Sequence, residues 1–129
     1  MTRGGRQVSS AATQRLAADK ELAGRFEDLL GMAREADGAL RQAQALNAPL
    51  SEQRRLALAV DAALTAVTRS AYAAQRVQIG PRGYDDWIYR RGRKAKPHVR
   101  RWTAEAERLL TMREEHRLVG VPNLPIYAV

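Results

Sequence analysis

Residues 22–43 read LAGRFEDLLGMAREADGALRQA, and Leu22, Phe26, Leu29, Ala33, Ala36, Leu40 and Ala43 recur in it at alternating steps of four and three. An α-helix sets residues so spaced one above another, so the pattern predicts a long helix with one apolar stripe. No proline interrupts the surrounding chain, and the helix is expected over about 11–46. Ser9 or Ser10 is placed to cap it, because a hydroxyl there accepts from an otherwise unpaired amide of the first turn. Gly24, Gly31 and Gly38 repeat at intervals of seven on the same helix. They either open one side to a neighbouring backbone or are tolerated on a solvent face at about 1 kcal/mol each.

Asn47-Ala48-Pro49 breaks the helix and Leu50-Ser51-Glu52 starts another, with Ser51 expected as its cap and Glu52 well placed for the helix dipole. This second helix is predicted over 51–77, with Leu56, Val60, Ala63, Val67, Ala74 and Val77 on one face. Two long helices joined by so short a break fold back as an antiparallel hairpin. Gly80-Pro81-Arg82-Gly83 then reads as a turn. Residues 84–91 fit a short helix or an extended piece, and 92–96 form a basic loop. Pro97 suits the first position of a third helix over about 97–117. Its stripe of Val99, Trp102, Ala106, Leu109 and Met112 turns Trp102 toward the core and leaves Arg100 and Arg101 projecting from the first turn.

The fold class expected is therefore all-α: a long helical hairpin, a third helix, a basic-aromatic connector between them, and extended tails at both ends. Residues 1–9 hold Arg3, Gly4, Gly5 and Arg6 without periodicity and read as a flexible basic arm; residues 10–118 form the helical domain. Residues 119–129 read as an extended apolar tail, because Pro122 and Pro125 cannot continue a helix. Such a tail packs on its own bundle or docks on a neighbouring subunit, and Leu124, Ile126 and Tyr127 are the residues expected to make the subunit contact.

Composition bounds the rest. The 129 residues suit one domain, but 23 are Ala and one is Phe, so the helices approach closely while burying little area each. A small core of this kind gains stability by oligomerising, and a homo-oligomer or membership of a multi-protein assembly is expected. There is no Cys, which removes disulfides, thiolate ligands and a thiol nucleophile together. No run approaches the roughly 20 apolar residues of a membrane span, and residues 1–10 lack the apolar core of a signal peptide. The expected location is cytoplasmic, or within a particle assembled there.

The strongest functional signal lies in residues 84–102, YDDWIYRRGRKAKPHVRRW. Seven of the chain's 22 basic residues and four of its seven aromatics fall here, and with Asp85 and Asp86 the segment carries a net +5 of the total +8. Cations interleaved with flat rings suit a polyanion that also offers faces for stacking, which points first to nucleic acid. Arg90, Arg91, Arg93, Lys94, Lys96, Arg100 and Arg101 are the expected phosphate contacts, with Trp87 or Tyr89 stacking on a base or packing on a sugar. The competing reading wedges Tyr84, Trp87, Ile88 and Tyr89 against the hairpin and turns the cations to solvent or to an acidic protein. Arginine outnumbers lysine by 19 to 3, as GC-rich coding would produce, yet the guanidinium is also the better phosphate fork. Gly80-Pro81-Arg82-Gly83 matches a short loop pattern of some RNA-binding domains, but the α/β context that pattern requires is absent.

Catalytic sets are poor. His98 and His116 are the only imidazoles, and the adjacent pairs Asp85-Asp86 and Glu114-Glu115 diverge on regular structure rather than converging on one proton or metal. No Gly-rich phosphate loop carries a lysine, and no metal-ligand spacing is present. No enzyme activity, cofactor, metal or small-molecule substrate is expected. The function expected is a structural assembly subunit of a nucleoprotein or virion-like particle, its basic-aromatic segment facing nucleic acid or an acidic partner. The alternative is a dimeric DNA- or RNA-binding regulator, although the helices flanking residues 47–50 are too long for a helix-turn-helix.

Overall fold

A computed structural model describes residues 8–119, which form α1 Ser10–Ala23, α2 Phe26–Ala45, α3 Leu50–Ile79, α4 Arg82–Asp85, α5 Trp87–Arg93 and α6 Pro97–Val119. No strand occurs among the described residues, and none of their helices is long and apolar enough to cross a membrane. Of the expected arm over 1–9 and tail over 119–129, only Val8, Ser9 and Val119 fall among the described residues.

The predicted helix over 11–46 is in fact two helices, broken at Gly24 and Arg25. Arg25 sits at φ −93°, ψ 4°, and its amide reaches back three residues to the Leu22 carbonyl at 3.1 Å. That tighter turn interrupts the helix without leaving the right-handed region, so no proline is needed to mark it. Ser9 is the cap of α1, its Oγ accepting from the Ala12 amide at 3.0 Å. The start of α3 differs from expectation: the helix begins at Leu50 with Pro49 in the cap position, and Ser51 lies inside the first turn. Asn47 takes the positive φ of 53° that reverses the chain, and the Gln53 amide group donates to the Ala48 carbonyl at 2.8 Å, bracing the turn from within α3.

The 30-residue α3, roughly 45 Å long at 1.5 Å per residue, is the axis of the molecule and packs against α1, α2 and α6. Contact on several sides explains why its buried set is wider than one stripe. Ala57, Val60, Leu64, Val67, Ala71 and Ala74 are joined in the interior by Thr68, Ser70 and Gln75. Each of these polar groups has a partner, as burial requires. The Ser70 hydroxyl donates to the Leu22 carbonyl at 2.8 Å, Gln75 donates to Thr103 Oγ1 at 2.7 Å, and Thr68 donates to the Leu64 carbonyl at 2.7 Å.

On α2, Phe26, Leu29, Ala33, Leu40 and Ala43 are buried, with Ala36 and, from α1, Leu22 half-buried against them. On α6, Val99, Ala106 and Leu109 are fully buried, whereas Met112 is 41% exposed. Trp102 is half-buried and meets Phe26 edge to face, the ring centroids 5.0 Å apart. The far end of α6 is pinned to α3 by polar contacts. Arg117 grips Asp61 at 2.6 and 3.2 Å, Arg113 donates to Thr65 at 3.2 Å, and His116 Nε2 lies 2.8 Å from the Ala57 carbonyl oxygen.

Candidate functional site

The connector between α3 and α6 holds two short helices, α4 and α5, so the undecided segment 84–91 is largely helical, while the expected turn persists at residues 80–81 and the expected loop at 94–96. It begins at Gly80, whose φ of 103° ends α3. Pro81 then leads α4, and Asp86 caps α5 by accepting from the Tyr89 amide at 3.0 Å. A Cβ on Gly83 would lie 2.5 Å from Ile79 Cγ2, so α4 sits against α3 closely enough to exclude any side chain there.

Two ties hold the connector to the bundle, and a third closes it on itself. The amide and hydroxyl of Ser9 both donate to the Asp85 carboxylate, at 3.0 and 2.9 Å. The Tyr84 hydroxyl donates to Asp19 on α1, which Arg76 on α3 also grips. Arg90 Nη1 donates to the Gly83 carbonyl at 2.7 Å, closing α5 onto α4. Burial and the hydrogen bond to Asp19 both favour the neutral phenol, so the Tyr84 pKa stands above its ordinary value.

The expected binding residues consequently divide. Arg90 is committed to Gly83, and Arg93 is half-buried. The Tyr89 ring is already engaged by two guanidinium groups, Arg82 at 4.5 Å and Arg93 at 5.7 Å from its centroid. Trp87 is 58% exposed, with Arg91 near its ring at 5.9 Å, and Ile88 beside it is 67% exposed. Arg91, Lys94, Lys96, Arg100 and Arg101 are exposed around the α5–α6 junction, and none of the ion pairs among the described residues includes them. Arg101 reaches over the Trp102 ring at 5.9 Å.

Two further cations join this end of the molecule, Arg82 and Arg15, the latter 5.1 Å from the Tyr84 ring centroid. Arg15 could not be found from sequence, since it stands on α1, far from the basic segment and without a local pattern. The expected subunit contacts Leu124, Ile126 and Tyr127 lie outside the described residues.

The arrangement offers several exposed cations, one accessible indole and one accessible aliphatic side chain on a connector fixed to the bundle. Such a surface can neutralise phosphates or carboxylates and stack one flat ring. Among the described residues, no three His, Cys, Asp or Glu side chains gather as metal ligands. No protein-family model, curated protein or solved structure matches this chain.

Proposed function

We propose that the protein is a non-enzymatic assembly subunit of a larger nucleoprotein or virion-like particle, with the α5–α6 junction turned toward nucleic acid. The observation that supports this reading is the set of Arg91, Lys94, Lys96, Arg100 and Arg101, exposed beside Trp87 and without carboxylate partners among the described residues. Like charges so close repel one another, and a polyphosphate relieves that repulsion while releasing its own counterions. The ties to Ser9, Asp19 and Gly83 hold the surface in place before binding, which lowers the ordering cost.

The test is the mass of the native complex before and after nuclease treatment. A defined large oligomer whose nucleic-acid content falls on digestion supports the reading. A dimer that forms only in the presence of nucleic acid would instead establish a regulator.

A further inference from the structure

Away from the basic end, α2 and α6 line a groove of about 480 Å³ across α3. Beneath it lie Leu40, Val60, Leu64 and Leu109, core residues at most 6% exposed, and Met112 stands partly exposed on its α6 side. Arg34 and Gln44 on the α2 side supply donors, and Glu115 on α6 an acceptor, for a backbone laid between them. Val119 also lines it and is 78% exposed, so the last described residue of the chain stands at the groove's own wall.

Ten residues follow, GVPNLPIYAV, without a charged side chain in a sequence of which 28% of the residues are charged. We propose that this groove receives residues 120–129 of a second copy, with Leu124, Ile126 and Tyr127 entering between α2 and α6. The match is chemical: Pro122 and Pro125 carry no amide hydrogen, which reduces the donors that burial would leave unpaired, and the remaining side chains are mostly apolar. Ten extended residues reach roughly 33 Å, about twice the roughly 16 Å that α6 covers between Arg108 and Val119. The groove lies alongside α6 from Arg108 to Val119, so a chain leaving the end of that helix must turn back to enter the same groove. A neighbour's groove is entered without that turn. Each copy then offers one arm and one groove, which closes as an exchanged dimer or runs on as a chain of subunits.

The inference rests on the reading of the chain as an assembly subunit, but not on its nucleic-acid face. The absence of cysteine permits a direct test. Met112→Cys and Ile126→Cys are made in separate full-length chains of distinguishable mass, checked for unchanged helix content, then mixed and oxidised. A disulfide joining one chain of each kind, well above the two-chain product of either variant alone, is expected. Deleting residues 120–129 should also lower the native mass measured after nuclease treatment while keeping the helix content. The proposal is overturned if the mixture gives no such excess. A wild-type protein that stays monomeric at micromolar concentration overturns it too. Salt-dependent nucleic-acid binding, measured on the same truncated chain, reports separately on the α5–α6 surface.

Discussion

Arg76 on α3 holds Asp19 on α1 through two hydrogen bonds, from Nε at 2.8 Å and from Nη2 at 3.1 Å. Burial pushes the Asp19 carboxyl up, but hydrogen bonds from Arg76 and Tyr84 and the charges of Arg76 and Arg15 outweigh it, leaving its pKa below the usual 3.8. Because the folded value is depressed, this stabilisation is present above the unfolded pKa and is lost as pH falls through the folded one. Tyr84 behaves oppositely: its pKa is raised above 10.0, so its contribution is present below 10.0 and is lost as pH rises beyond it. Stability should therefore be level between about pH 5 and 9 and decline on both sides. Asp19→Asn should cost about 1–3 kcal/mol at neutral pH and flatten the acid limb in chemical denaturation. An unchanged acid limb would contradict the role given to this carboxylate.

Leu29, Leu40 and Leu109 are each at most 5% exposed. Truncation of any one to Ala should cost about 2–5 kcal/mol, whereas the more exposed Met112→Ala should cost clearly less. Thermal and urea unfolding of the four variants check the ranking.

Two glycines of the connector should respond in opposite directions. Gly83→Ala drives a methyl into the buried Ile79 side chain and should destabilise by about 1–3 kcal/mol. Gly92→Ala meets nothing within 4 Å and lies in α5, so it should stabilise by about 0.5–1 kcal/mol. Unfolding midpoints decide both signs.

The helical class and the α2 stripe were legible because Phe26 to Ala43 repeat with the period of a helix and turn one face to the core. The break at Gly24 and Arg25 was not, since Gly24 stays in the right-handed region and no local residue type demands a turn. On α3, an apolar stripe cannot reveal Thr68, Ser70 and Gln75, which are interior because α3 has neighbours on several sides. The basic-aromatic segment stood out by composition. Its internal division did not, because Arg90 is withdrawn by the Gly83 carbonyl and Tyr89 by two guanidinium groups, contacts that periodicity does not encode.

Adjacent arginines should separate structure from binding. Arg90→Ala removes the bond to Gly83 and should lower stability by about 0.5–1.5 kcal/mol, while Arg91→Ala should leave unfolding unchanged and weaken nucleic-acid binding. Parallel melting and binding measurements would reveal a reversed pattern.

The central claim is that the α5–α6 junction contacts a polyphosphate, and the salt dependence of binding tests it most directly. The wild-type protein should bind duplex or single-stranded nucleic acid with affinity falling steeply as salt rises. The triple variant Arg91→Glu, Lys94→Glu, Arg100→Glu should remain folded and reduce the magnitude of the log–log salt slope by roughly 2–3. A wild-type protein that binds neither polymer at low salt, or a triple variant with an unchanged slope, would contradict the account.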